Sequence, residues 1–252
     1  MRNFQLTLEY DGTNYNGWQT QATNQKKKGG TVRTIQTVLG EALFRLFTKR
    51  VKLNSSGRTD SGVHAEAQVV NFKVRTELKP PRIKKALNSL LPPDIRVKKV
   101  KIVSTDFNAQ HDALSKTYRY VICNKDYVPA FARHYVYHFT YPLNIYLMRK
   151  EAKVLLGTHD FSAFKSSGGE TTDCKRRIKR IKIKKKEEFI EIEIEADGFL
   201  YNMVRNIVGT LLEIARGKFP PGSMKRILQS RDRKTAGPTV PAKGLSLVSV
   251  KY

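Results

Sequence analysis

Hydrophobic and polar residues alternate from the start of the chain. Phe4, Leu6, Leu8 and Tyr10 are separated by polar positions, and the run stops at Asp11-Gly12, which predicts a strand and then a turn. Beyond a polar stretch ending at Gly29-Gly30, Ile35, Leu39, Ala42, Leu43 and Leu46 recur at helical spacing, so 34–47 reads as an amphipathic helix. The 58–62 loop leads into a strand through Val69, Asn71 and Phe72. A second helix starts after Pro80-Pro81 and runs to Leu91, where Pro92-Pro93 ends it, and 95–103 returns as a strand. The second half repeats the mixture: a strand at 118–122, a helix over 143–156, a hairpin over 177–196, a helix over 199–216, a short helix near 224–229 and a closing strand through Leu245, Leu247 and Val250. Met203, Ile207, Leu211 and Ile214 form one stripe of the 199–216 helix. Strands and helices mixed in both halves predict an α+β protein of two similar lobes, 1–110 and 111–252, with largely antiparallel sheet and helices packed on one side.

Composition adds a partner to this picture. The 252 residues carry 47 Lys and Arg against 22 Asp and Glu, a formal net charge of +25, which calls for a polyanion, and nucleic acid leads over an acidic membrane. No apolar run approaches the roughly 18 residues a spanning helix needs. Met1-Arg2-Asn3-Phe4 opens directly in strand-like sequence with no signal peptide, so the cytoplasm is the expected location. Part of the charge is local: the basic run 176–186 is followed by the acidic run 187–195, with isoleucines alternating through both. A hairpin here sets Lys opposite Glu on a solvated face. Lys26-Lys27-Lys28 and Arg82-Ile83-Lys84-Lys85 lie outside that compensation. Cys123 and Cys174 form no CxxC pair, and the five histidines show no metal spacing, so no zinc site or disulfide framework is expected.

One loop can carry chemistry. In Gly57-Arg58-Thr59-Asp60-Ser61-Gly62, two glycines bracket a cation, a hydroxyl and a carboxylate, which allows a sharp turn and close approach to a ligand. Asp60 is a candidate nucleophile or base with Arg58 beside it as a phosphate or base contact. The same residues also suit a plain Asx turn with Arg58 in solvent, and spacing alone favours that turn. There is no GxxxxGK[ST] phosphate loop, which disfavours a nucleotide-dependent enzyme.

The extended loop, Gly57-Arg58-Thr59-Asp60-Ser61-Gly62-Val63-His64-Ala65, resembles the signature of the tRNA pseudouridine synthase A family. The resemblance runs the length of the chain: Tyr10-Asp11-Gly12 with Gly17-Trp18-Gln19, the 88–95 run, Lys116-Thr117-Tyr118-Arg119-Tyr120, the 157–164 run, the 199–209 run, and Ala236-Gly237-Pro238-Thr239 through Gly244-Leu245. It implies a cofactor-free isomerisation in which the N1–C1′ bond of a uridine breaks, the uracil turns, and C5 bonds to C1′. Asp60 is then the catalytic carboxylate, by attack at C1′ or C6 or by assisting a glycal intermediate. Arg58 holds the extruded nucleotide or fills the space it leaves. Arg205 pairs with Asp60, Tyr118 stacks on or hydrogen-bonds the uracil, and Leu245 presses on its other face. These residues come from both halves, so the implied active-site cleft lies between the lobes. The resemblance further implies uridines 38, 39 and 40 of the tRNA anticodon stem-loop as targets, and a homodimer.

Two departures touch substrate range. Many relatives carry Phe-His-Ala-Arg where this chain has Phe107-Asn108-Ala109-Gln110, so a basic contact to RNA is either missing or supplied elsewhere. The 22–30 stretch is longer than in compact relatives and serves either as an RNA-touching arm or as a solvated loop. Two rival functions follow: a synthase of the same family acting on another tRNA position or another RNA, and a non-catalytic RNA-binding protein.

Overall fold

Strand alternation sorts the first part of the chain into an apolar face and a polar face. The structure, a computed structural model, describes residues 1–19, 33–168 and 171–252. The Lys26-Lys27-Lys28 stretch lies outside the described residues. The described chain divides into two compact units, Met1–Leu114 with Leu247–Tyr252, and Ser115–Ser246.

In the first unit the elements are β1 (Arg2–Tyr10), α1 (Ile35–Phe47), β2 (Asn54–Ser55), β3 (His64–Val74), α2 (Pro80–Leu90) and β4 (Ile95–Val103). β1 pairs antiparallel with both β3 and β4. Phe4 stands opposite Phe72 with ring centroids 5.7 Å apart, and Phe47 of α1 packs on Phe72 at 6.0 Å, so the helix covers the Phe4, Leu6, Leu8 face. α1 begins where Thr34 and Thr37 close a reciprocal capping box. The opposite face carries Asn3, Gln5 and Asn71, all buried. Asn3 and Asn71 are buried without loss of hydrogen bonds because the 104–109 chain lies on them: Asn3 Nδ2 donates to Ser104 O and Phe107 O, and Ala109 N donates to Asn71 Oδ1. The Phe107-Asn108-Ala109-Gln110 segment therefore has a packing role. Asn108 Oδ1 caps its own turn by accepting Gln110 N, and Gln110 is exposed.

In the second unit the chain forms β5 (Ser115–Cys123), β6 (Tyr137–His138), α3 (Ile145–Ala152), β7 (Gly157–Asp160), β8 (Lys175–Lys186), β9 (Phe189–Ala196), α4 (Met203–Ala215), α5 (Ser223–Ser230) and β10 (Leu245–Lys251), the last crossing into the first unit from Leu247. The strand order is β5-β9-β8-β7, antiparallel throughout, and β6 adds a short parallel pair on β5. The protein is thus α+β with a mostly antiparallel sheet. The hairpin register sets Arg180 opposite Glu195, Lys182 opposite Glu193 and Lys184 opposite Glu191, while Ile183 and Ile192 pair on the buried face. Arg119 of β5 closes on Glu193 at 3.0 Å, so the acidic row is flanked by cations on both sides.

α4 differs from its sequence reading. Met203 to Ala215 is buried nearly all round rather than along one stripe, and the helix begins at Met203 instead of 199 because Asn202 takes a left-handed conformation, φ 60°. No helix among the described residues is long and apolar enough to cross a membrane.

Candidate active site

The Asp60 loop is shaped by main-chain contacts with the segment that follows β1. Val63 N donates to Asp60 O at 3.1 Å, closing a turn in which Gly62 sits at φ 76°, where a residue with Cβ is disfavoured. Gly62 N donates to Tyr15 O at 3.3 Å. Trp18 N donates to Thr59 O at 2.9 Å, and Tyr10 Oη is 2.8 Å from Thr59 Oγ1. On the strand side, Ser56 Oγ donates to Gln68 Oε1 and Gln68 Nε2 donates to Gly57 O, with Ser56 and Gln68 both buried.

Two glycines permit this close approach. A Cβ on Gly17, itself at φ 79°, would lie 2.5 Å from Thr59 O, and a Cβ on Gly12 would lie 2.0 Å from Val63 O. Gly12 N donates to Nδ1 of buried His64 at 3.0 Å. The Asp11 carboxylate lies 3.2 Å from the same nitrogen. The result is a rigid frame in which Thr59 is buried, Asp60 is half-buried and Arg58 is exposed. Burial also pushes the phenols of Tyr10 and Tyr15 well above the ordinary tyrosine range; for Tyr15 the Asp94 carboxylate, which accepts its hydroxyl at 2.6 Å, adds to the rise.

In the second unit, Arg205 bonds a strap of chain, residues 236–245, that ends at Leu245. Tyr118 lies on β5, largely buried, with Phe199 edge-on to its ring at 5.1 Å. Arg205 projects from the first turn of α4, donating Nε to Val240 O at 2.7 Å and Nη1 to Asn202 Oδ1 at 2.8 Å. A short 3-10 turn, Ala242–Gly244, then delivers buried Leu245 at the start of β10. Gly244 is required there because a Cβ would meet the Tyr120 ring at 2.7 Å. Tyr120 Oη donates to Pro241 O, and burial raises its pKa far beyond the usual value, an effect the Arg205 charge opposes.

The strap is fastened to α4 by groups that sequence reasoning passed over. Buried Asn206 donates Nδ2 to Phe164 O, and its Oδ1 accepts from Thr239 Oγ1 at 2.6 Å and Arg233 Nη2 at 3.0 Å. Thr210 Oγ1 accepts Gly237 N, and Gly209 leaves room for Pro238, whose carbonyl would be 1.8 Å from a Cβ there. Burial lowers the pKa of Arg233. The runs that hold these residues are visible in the sequence as 199–209 and 236–239; their pairing is not, because Asn206 and Thr239 are separated by 33 positions.

What the arrangement offers chemically is a carboxylate on a rigid, glycine-bounded turn in one unit and, in the other, a braced guanidinium whose charge reaches Tyr120. A family model described as tRNA pseudouridine synthase matches residues 7–112 and 152–252. Similar proteins called tRNA pseudouridine synthase A come from Thermoanaerobacter sp. (strain X514), at 46% identity, and Caldicellulosiruptor saccharolyticus, at 44%, each over 100% of both chains. A Clostridium perfringens protein called tRNA pseudouridine synthase A 2 is 45% identical over the same span. A solved chain from a Cbf5-Nop10-Gar1 complex aligns over 96% of this chain and 57% of its own at 10% identity; its TM-score of 0.38 is too low to bear on fold or function. By the match to the family model and the full-length relatives, the chain belongs to the tRNA pseudouridine synthase family.

Proposed function

We propose that this isomerase converts uridines 38, 39 and 40 of the tRNA anticodon stem-loop to pseudouridine, with Asp60 as the catalytic carboxylate. The observation that carries the reading is the Asp60 turn. Its backbone is closed by Val63 N, and its Gly62 N donates to Tyr15 O, so main-chain contacts hold the carboxylate-bearing turn in place. In the reaction the N1–C1′ bond breaks, the C5–C1′ bond forms, the C5 proton leaves and N1 gains one. A carboxylate suits these steps as nucleophile or base. Arg58, Tyr118, Arg205 and Leu245 bind the substrate nucleotide.

Charge supports an RNA substrate for the whole chain. The first unit has 21 Lys and Arg against 9 Asp and Glu, and the second has 26 against 13, so both are strongly basic. The protein acts in the cytoplasm as a homodimer, without a cofactor. The test is tritium release from unmodified tRNA carrying C5-tritiated uridine, followed by mapping of the modified positions. Release with pseudouridine at 38 to 40 is expected. Release with modification elsewhere removes the proposed positions, and no release from any tRNA removes the proposed activity. Sedimentation of the purified protein tests the dimer.

A further inference from the structure

Asn202 occupies the N-cap of α4 with φ 60° and ψ 7°. Asparagine at an N-cap ordinarily turns its side-chain oxygen onto an unsatisfied N–H of the first helical turn. Here its side chain makes no cap hydrogen bond. Its main-chain carbonyl still starts the helix by accepting Asn206 N at 2.9 Å, while Oδ1 accepts Nη1 of Arg205 at 2.8 Å. The left-handed backbone is a conformation glycine adopts freely, yet asparagine stands there and its amide is spent on Arg205.

The second acceptor on Arg205 is equally fixed. Val240 O receives Nε at 2.7 Å, and the residue before it, Thr239, is bound to Asn206 on the same helix. Arg233 Nη2 bonds both Asn206 Oδ1 and Thr239 Oγ1. Gly237 N on Thr210 Oγ1 and Pro238 against Gly209 hold the preceding residues of the strap. Two acceptors in different directions set both the position and the plane of a guanidinium, whose donors are rigidly coplanar.

We propose that Asn202 is a positioning residue for the reaction: with the Val240 carbonyl it forms a bracket that aims Arg205, at the expense of capping α4. The proposal rests on the reading of Arg205 as a substrate-site group. Asn202 acts through Arg205, so its loss changes the geometry of turnover more than the binding of tRNA.

Asn202→Gly tests this cleanly, because glycine keeps the left-handed backbone and removes only the acceptor. Steady-state turnover is expected to fall about 10- to 100-fold in kcat, the scale of a misaimed catalytic group, with KM for tRNA nearly unchanged and thermal stability equal or higher. Asn202→Asp, which restores an acceptor and tolerates the same backbone, is expected to recover kcat. Thr239→Val, which loosens the strap, should show the same kcat-over-KM split independently. Unchanged kcat in Asn202→Gly, or a loss of stability in step with the loss of kcat that Asn202→Asp fails to rescue, overturns the bracket. Arg205→Ala measured in parallel separates the two levels. A large loss there with wild-type kcat in Asn202→Gly removes the bracket alone, and no loss in Arg205→Ala removes the reading of Arg205 and the bracket with it.

Discussion

The Asp60 loop and the Arg205 bracket both fix a charged residue, by opposite means. The Asp60 turn is held main chain to main chain: Val63 N to Asp60 O, Trp18 N to Thr59 O and Gly62 N to Tyr15 O. Around Arg205 the guanidinium itself is held, by an amide side chain and a carbonyl. A main-chain lock fixes the turn through its backbone but tolerates no added atoms nearby. A side-chain bracket tolerates backbone adjustment but fails when one acceptor is removed. The first region is therefore vulnerable to added carbon and the second to deleted oxygen.

That contrast orders the expected effects. The largest is Asp60→Asn, which leaves the loop's main-chain contacts in place; turnover is expected to fall on the order of 10³-fold or more, with tRNA affinity nearly unchanged. Tritium release and filter binding measure the two, and retained turnover would falsify the role of Asp60. Next is Gly17→Ala, which forces Cβ against Thr59 O at 2.5 Å on a backbone of φ 79°. A loss of about 1–3 kcal/mol is expected, with lowered turnover. Calorimetry together with turnover checks it, and a stable, fully active variant would break the claim that main-chain proximity holds the loop.

A pH series sharpens the same point. Tyr10 and Tyr15 have raised pKa values in the fold, chiefly through burial, so they stay protonated in the native state after the unfolded chain begins to ionise. Their contribution is fully present below the unfolded pKa of about 10 and is lost as pH rises beyond it. Denaturant titrations on the alkaline side should show a shallower decline for Tyr10→Phe than for the wild type. The smallest effect is Gly40→Ala in α1, where an added Cβ meets nothing within 4 Å; it should stabilise the protein by about 0.5–1 kcal/mol. A destabilised Gly40→Ala would show that glycine substitution here is costly for reasons other than close contact.

Much of the fold is legible because periodicity reports burial directly. Phe4, Leu6 and Leu8 announced β1, and the isoleucines announced the β8–β9 hairpin with its Lys and Glu in facing positions. The start of α4 is not legible in the sequence because the apolar pattern continues through Phe199 and Leu200, while the helix waits for the left-handed Asn202. The two-residue strand β6 has no periodicity to detect. At the candidate site the motifs stand out as residues, but their partnerships do not. Gly12 finds His64 across 52 positions and Arg205 finds Val240 across 35, and such contacts depend on how strands and helices pack rather than on local spacing. His64 falls within the Gly57–Ala65 run that carries the resemblance, but its contact with Gly12 N comes from the antiparallel return of β3 beside β1.

The lysine-rich strand has a consequence beyond charge balance. β7 covers β8 only from Lys175 to Ile178, and the remainder of that margin carries Lys182, Lys184, Lys185 and Lys186, while Arg149 Nε occupies the carbonyl of Ile183. A bare sheet margin invites a strand from a neighbouring chain to dock and propagate. Here a second copy arriving along the same margin would bring the same row of ammonium groups against this one, so mutual repulsion opposes edge-to-edge pairing of two copies at β8, the longest of the described strands.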